Sequence, residues 1–193
     1  MRKLVWVLGA TALVALVGAL LIRGSGISAR RQPTGLEARI AKAGWRFLVP
    51  REYRNLTNPV QPTPEVIRMG LEHWADHCAM CHANDGSGDV RIGRSLHPPA
   101  PDMRVAPTQR LTDGELFYAI EQGIPFTGMP AWGTGTEDGA RSSWELVHFI
   151  RHLPKLSPEE LHDMERLNPV SPAQDAKQKD IDDFLTGKHK VVK

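Results

Sequence analysis

The longest run of apolar residues in the chain covers residues 4–22, near its start. This run has nineteen residues without a charge, and Arg2 and Lys3 precede it. As an α-helix it would be about 28 Å long, close to the ~30 Å hydrocarbon core of a bilayer. We therefore predict a transmembrane anchor over residues 1–23. A cleaved signal peptide is the alternative, although its apolar region typically has only about 7–15 residues.

Later segments repeat apolar residues at helical spacing, and each begins with a helix-start signal. Thr63 and Pro64 begin the first, which runs into the two cysteines of the chain. Capping-box patterns begin the second at Thr112 and the third at Ser142, and a further helix start lies at Ser157. No segment alternates apolar and polar residues convincingly over the length of a strand. The pattern predicts an all-α fold.

Two extensions flank the predicted globular domain, which covers residues 63–154. Residues 24–62 are predicted to form a basic stalk or linker. Within it, residues 36–45 are either a short amphipathic helix, which lies on a surface or docks on the domain, or a semi-ordered linker. Residues 155–193 are predicted to form a charged C-terminal extension. Its last part, residues 177–193, either packs back on the domain or stays mobile.

The net charge of +2 conceals a segregation of charge along the chain. Residues 1–64 hold ten lysines and arginines against two acidic residues, whereas residues 65–154 hold seven against twelve. The folded part is therefore acidic, and this disfavours nucleic-acid binding, which needs a basic surface. Basic residues lie on both sides of the apolar run, so the positive-inside rule alone does not decide its orientation.

The most informative motif is Cys78-Ala-Met-Cys-His82, which contains both cysteines of the chain. C-x-x-C-H is the attachment signal of a c-type haem: two thiols three positions apart can add to the vinyl groups, and the adjacent histidine reaches the iron. Zinc binding and dithiol redox chemistry are the alternatives. A zinc site needs more ligands, and His73 and His77 lie just ahead on the same predicted helix. We predict one covalently attached haem c with its iron.

Four further motifs accompany this one: Asp85-Gly-Ser-Gly88, Thr112-Asp-Gly-Glu-Leu-Phe-Tyr118, Gly128-Met-Pro-Ala-Trp132 and Trp144-Glu-Leu-Val-His-Phe-Ile-Arg151. With them, residues 64–154 resemble a single-haem class I cytochrome c. More narrowly, they are similar to the cytochrome domains of cbb3-type oxidase diheme subunits. The resemblance implies a class I cytochrome c fold, in which helices surround a covalently bound haem c.

The resemblance also implies roles for four side chains. Cys78 and Cys81 bind the haem covalently, His82 is the proximal iron ligand, and Met129 is the sixth ligand. A thioether agrees with this role, because Met/His coordination raises the reduction potential into the range of electron carriers. Two alternatives stay open for Met129: a buried packing role, or ligation by Met103 in its place.

Other residues are expected to support the haem. In related cytochromes a proline carbonyl in the following loop orients the proximal histidine, which makes Pro98 and Pro99 candidates. Arg91 and Arg94 are candidates for pairing with a haem propionate, and solvated loop charges are the alternative for both. The long segment of residues 83–111, rich in proline and glycine, is expected to wrap the cofactor.

With His82 and Met129 both on the iron, no coordination position would be left for a substrate, so we expect an electron carrier and not an enzyme. Haem attachment of this kind takes place outside the bacterial cytoplasm. We therefore expect a single-pass protein of the cytoplasmic membrane with its haem domain in the periplasm. In a respiratory chain its partners would be a quinol-oxidising complex and a terminal oxidase or reductase. The alternatives are the haem subunit of a larger membrane oxidoreductase complex, and a sensor with a labile sixth ligand.

Overall fold

The computed structural model describes residues 2–25, 28, 31–168, 180–181 and 183–186. Over these residues the chain is helical and contains no β-strand, which confirms the prediction of an all-α fold. By its internal contacts the chain divides into two compact units, Met1–Arg31 and Gln32–Lys193.

The first unit contains helix α1 (Arg2–Ser25). Its stretch Val5–Gly24 is long and apolar enough to cross a membrane, and none of that stretch is buried within the protein. These properties match the predicted anchor, and a signal sequence would share them.

The second unit begins with helices α2 (Gly35–Leu48) and α3 (Arg51–Arg54), within the segment predicted as a stalk. Val49, between the two helices, is only 2% exposed. The ring of Tyr53 in α3 stacks against that of Phe117, with 6.4 Å between the ring centroids. This part of the predicted stalk therefore packs on the globular domain.

Helix α4 (Pro64–His73) begins as predicted, because the hydroxyl of Thr63 accepts a 3.2 Å hydrogen bond from the backbone N–H of Val66. The helix does not end before the cysteines. It widens into a single π-helical turn (Trp74–Cys78) and continues as α5 (Ala79–His82). Residues 78–82, which we call the haem motif after their predicted role, thus lie at the C-terminal end of one nearly continuous helical rod.

The proline- and glycine-rich segment after the motif contains two short helices, α6 (Arg91–Ser95) and α7 (Ala106–Gln109). Helix α6 packs against α5, and Thr108 in α7 is buried. The segment is therefore more ordered than the loop that its composition predicts.

Helix α8 (Asp113–Gln122) confirms the predicted capping box, in which the Thr112 hydroxyl accepts from the backbone N–H of Glu115. The helix ends at Gly123, also as predicted; the φ angle there is +67°, a conformation that favours glycine.

The predicted start of the next helix at Ser142 is wrong. Helix α9 (Glu137–His152) begins at Thr136, whose hydroxyl accepts from the backbone N–H of Gly139. Ser142 lies inside the helix and its hydroxyl donates to the carbonyl of Asp138. A capping-box pattern can occur by chance within a helix, and the Glu137-Asp138 pair after Thr136 suits the positive end of the helix.

The hydrophobic core lies where α4, α8 and α9 meet, and α10 (Pro158–Leu167) covers one side of it. Helix α10 begins at the predicted capping box of Ser157, and its Met164 is fully buried in the core. Most of the predicted C-terminal tail, residues 177–193, lies outside the described residues. The larger core side chains are Leu71, Trp74, Leu116, Phe117, Ile120, Trp144, Leu146, Phe149, Ile150 and Leu153.

Candidate functional site

The two cysteines lie one helical turn apart, Cys78 at the end of the π-helical turn and Cys81 in α5, and neither forms a disulfide. Burial, with a smaller effect from Cys81, raises the pKa of the Cys78 thiol to about 12. Burial also raises the pKa of Cys81. Thiols with raised pKa values are weak nucleophiles at neutral pH, which disfavours dithiol redox chemistry. A thioether has no such proton and is compatible with these positions.

Zinc binding is also disfavoured by the arrangement of side chains. Among the residues that the structure describes, no three histidine, cysteine, aspartate or glutamate side chains are grouped so that they could hold a metal ion. His73 and His77 instead contact each other edge to face, with 5.0 Å between their ring centroids. The two ligands that a structural zinc site would need beyond the cysteines are therefore missing from this part of the chain.

The imidazole of His82 is held in a form suited to metal binding. Burial lowers the pKa of His82 to about 4, and a backbone interaction with Pro101 opposes this shift. Its buried Nδ1 atom has no hydrogen-bond partner of ordinary geometry. A ligating histidine usually donates its second ring N–H to an oxygen, and Pro101, rather than the predicted Pro98 or Pro99, has the backbone that acts on this ring.

The chain directly after His82 is fixed by hydrogen bonds. The indole N–H of the buried Trp74 donates to the carbonyl of Ala83 over 3.0 Å, and the N–H of Gly88 donates to the carbonyl of His82 over 2.8 Å. Ala83 has a φ angle of +64°, which is rare for a residue other than glycine. Strained backbone that the surroundings hold in place is common at functional sites. The sequence had no signal for the π-helical turn or for this pairing of Trp74.

Helix α6 approaches the haem motif at a glycine. A Cβ atom built on Gly93 would collide with the carbonyl oxygens of Cys81 and Gly88, so only glycine permits this contact. The backbone of α6 therefore lies directly against that of α5.

Met129 lies in a loop that closes on itself. The N–H of Ile124 donates to the carbonyl of Met129 over 3.1 Å, and the N–H of Met129 donates to the hydroxyl of Thr127 over 3.1 Å. The backbone of Gly123 packs closely against this loop, since a Cβ atom on Gly123 would lie only 2.7 Å from the backbone of Pro130. The Met129 side chain is half-buried on this constrained loop.

Two contacts connect the Met129 loop to the surroundings of the haem motif. Gly128 lies so close to Leu96, directly after α6, that a Cβ atom on Gly128 would be 2.6 Å from the Leu96 side chain. On the other side the ring of Trp132 meets that of His77 edge to face, with a centroid distance of 5.2 Å. The fold thus brings residues on both sides of Met129 to elements that flank the cysteines.

Met103, the alternative sixth ligand, packs against the hydrophobic core. Its backbone N–H donates to the carbonyl of Gly86 over 2.8 Å, and its carbonyl accepts from the side chain of Gln109 over 2.7 Å. These contacts favour a packing role for Met103.

The arginines of this region have different surroundings. Arg91 is exposed, and Arg94 forms a 2.5 Å ion pair with Asp89. Arg104, which the sequence did not single out, bridges Asp85 at 2.7 Å and Asp102 at 2.9 Å. Arg104 therefore joins the loop that follows the haem motif to the loop that carries Met103.

The residues present fit a haem c. The two thiols have the spacing of the attachment motif and no disulfide, and burial keeps the His82 ring neutral, as a metal ligand must be. A constrained methionine loop is held beside the same elements.

Comparison with known families agrees with this fit. Residues 65–150 match the family model described as cytochrome C oxidase, cbb3-type, subunit III. This region is a cytochrome c-type domain, which confirms the resemblance predicted from its motifs. More specifically, it is similar to the cytochrome domain of cbb3-type oxidases. The match covers somewhat under half of the chain, and haem-based electron transfer is the function associated with such a domain.

Proposed function

We propose that this protein is a membrane-anchored c-type cytochrome that carries single electrons between respiratory complexes. Cys78 and Cys81 would hold one haem c by thioether bonds, with His82 and Met129 as its axial ligands. The observation that carries the proposal is the combination of the C-x-x-C-H motif at the end of a helical rod with the constrained Met129 loop beside it. The bound haem would supply an iron that alternates between the ferrous and ferric states.

The residues of the chain would position and shield the cofactor. The bond from Trp74 to the Ala83 carbonyl and the contact of Gly93 with Cys81 hold the backbone on either side of His82. Two protein ligands would leave no open coordination position, so outer-sphere electron transfer is the chemistry that we expect. This is why we propose a carrier and not an enzyme.

The proposed location is the periplasmic side of a bacterial cytoplasmic membrane, with α1 as the anchor. Its apolar stretch supports the membrane part of this proposal. The side follows from the proposed covalent haem attachment, because attachment of this kind takes place outside the bacterial cytoplasm. A quinol-oxidising complex would be the electron donor and a terminal oxidase or reductase the acceptor. Anchoring would raise the effective concentration of the haem domain near such membrane partners.

A second candidate function is favoured by the family match. Because residues 65–150 are similar to a subunit of an oxidase, this chain could serve as the haem-bearing electron-transfer subunit of a larger membrane oxidoreductase complex. Purification from mildly solubilised membranes separates the two candidates. Stoichiometric catalytic subunits would support the complex, and a chain that elutes alone and is reduced by a quinol-oxidising complex would support the carrier.

The ligand set is tested by optical redox titration of the full chain with Met129→Ala, beside the matched control Met103→Ala. We expect Met129→Ala to abolish the thioether-to-ferric-iron charge-transfer band and to lower the reduction potential, because a Met/His pair raises that potential. Met103→Ala should keep the band. A band that survives in Met129→Ala and disappears in Met103→Ala would assign the sixth ligand to Met103.

A further inference from the structure

Helix α2 has an apolar face that no described residue of the unit Gln32–Lys193 covers. Leu36, Ile40 and Phe47 are 68%, 63% and 82% exposed, and no residue of the helix is buried. Residues separated by four and by eleven positions share one side of an α-helix, so these three side chains form a single stripe. We call this stripe the outer face of α2.

The opposite side of α2 faces the domain. Ala38 and Trp45 are half-buried there, and the guanidinium of Arg46 donates two hydrogen bonds, of 3.1 and 3.3 Å, to the carboxylate of Glu115. Glu115 itself is 2% exposed. These contacts set the rotation of α2 about its axis, so its outer face must point away from the domain.

Both ends of α2 are stabilised, so the helix is a defined element and not a loose linker. At its start Thr34 and Glu37 form a reciprocal capping box, with the backbone N–H of Thr34 donating to the Glu37 carboxylate over 2.6 Å. At its end the guanidinium of Arg54 donates to the carbonyl of Phe47 over 3.0 Å and to that of Arg46. The outer face is therefore presented in a fixed form.

The flank of the outer face is cationic. Arg39, Lys42 and Arg46 follow one another at helical spacing between the outer face and the side that faces the domain, and Glu37 is the one acidic residue of the helix sequence. An apolar stripe beside lysine and arginine is the pattern of a helix that lies in the plane of a membrane interface and attracts anionic headgroups.

Chain length also favours a membrane as the partner. Nine residues separate the end of α1 at Ser25 from the start of α2 at Gly35. Even fully extended, nine residues reach only about 30 Å. If α1 spans a bilayer, as proposed above, α2 begins within that distance of the surface of the same bilayer.

We propose that α2 lies in the interface of an anionic bilayer, with its outer face at the boundary between the headgroups and the acyl chains. The pair of Arg46 with Glu115 would then connect the membrane surface to the first turn of α8, and so restrict how the haem domain is oriented toward its membrane partners. The inference rests on the proposed anchoring by α1 and is independent of the identity of the sixth haem ligand.

The test uses the full holo-protein in nanodiscs that hold one chain each, made of phosphatidylcholine with phosphatidylglycerol. A nitroxide is attached to Ile40→Cys and, as the matched control two positions away on the cationic flank, to Lys42→Cys. Collisions with oxygen report lipid, and collisions with a water-soluble nickel chelate report water. We expect the label at residue 40 to be several-fold less accessible to nickel than the label at residue 42, and more accessible to oxygen.

Equal accessibility of the two labels to nickel in these nanodiscs would overturn the proposal. If the label at residue 40 becomes protected only in crowded vesicles, the occupant is a second copy of this chain, and if only in native membranes, it is another protein; both results also overturn it. The unsubstituted protein should take up no label, because Cys78 and Cys81 would be held by the haem. Labelling of the unsubstituted protein would count against the proposed haem attachment. The accessibilities of residues 40 and 42 would still decide whether α2 lies in the membrane interface.

Discussion

The crossing of α4 and α9 can be probed at a single glycine. Gly70 lies where the two helices touch, and a methyl group there would be 2.6 Å from the carbonyl oxygen of Glu145 and 2.8 Å from Cβ of Phe149. Favourable contacts between carbon atoms have separations of about 3.5–4.0 Å. We therefore expect Gly70→Ala to push the two helices apart by roughly 0.5–1 Å.

The size of the effect follows from two opposing contributions. Overpacking a well-packed core costs about 1–3 kcal/mol, whereas alanine is favoured over glycine within a helix by about 1 kcal/mol. We expect an overpacking cost near the upper end of this range, because the atoms that must move are backbone and Cβ atoms of α9. None of them belongs to the flexible end of a side chain. Gly70→Ala should thus lower the free energy of unfolding by about 2 kcal/mol.

Gly44→Ala is the matched control, because Gly44 lies within the exposed helix α2 and a Cβ atom there would meet nothing within 4 Å. It should gain about 1 kcal/mol from helix propensity alone. Urea unfolding of the full-length protein in detergent, followed by circular dichroism and by haem absorbance, measures both variants. If Gly70→Ala proves as stable as Gly44→Ala, the inferred close crossing of α4 and α9 is wrong.

Three further substitutions probe the surroundings of the haem motif by the same unfolding measurement. Trp74→Phe should cost about 2–4 kcal/mol, because it leaves the buried Ala83 carbonyl without its donor and creates a cavity, and a loss below 1 kcal/mol would contradict that bond. Ala83→Gly should stabilise the protein by about 1 kcal/mol by relieving the positive φ angle, and a destabilised variant would show that packing of the methyl group matters more. Hydrogen bonding to Arg104 holds the pKa of Asp102 below its ordinary value. This pair therefore stabilises the fold above pH ~4, and the contribution is lost as the pH falls through the lowered pKa of the folded state. Asp102→Asn should be less stable than the parent near neutral pH, and the difference in unfolding free energy should shrink in acid.

Local signals in the sequence predicted the starts of several helices correctly. The caps at Thr63, Thr112 and Ser157 all form in the structure. A helix cap is made by residues three positions apart, so the sequence contains the whole interaction. The error at Ser142 has the same origin: an identical local pattern lies inside a longer helix whose true cap is Thr136.

The packing of the segment before the domain could not be predicted in this way. The sequence left residues 36–45 open as a surface-lying helix, a domain-docking helix or a linker, whereas α2 is a capped helix that is joined to the domain through Arg46 and Glu115. These two residues are 69 positions apart in the chain. No local rule pairs an arginine of a basic segment with one particular glutamate so far away.

The sequence by itself determined the chemistry that this chain can support, because the spacing of Cys78, Cys81 and His82 and the length of the apolar run in α1 are properties of contiguous residues. Only the tertiary structure decided which distant segments surround the motif: Leu96 against Gly128, and the Pro101 backbone acting on His82. Contacts of this kind depend on the way in which the long loops close over a shared core. Their closure is governed by the packing of all the helices together and not by the preferences of any one segment.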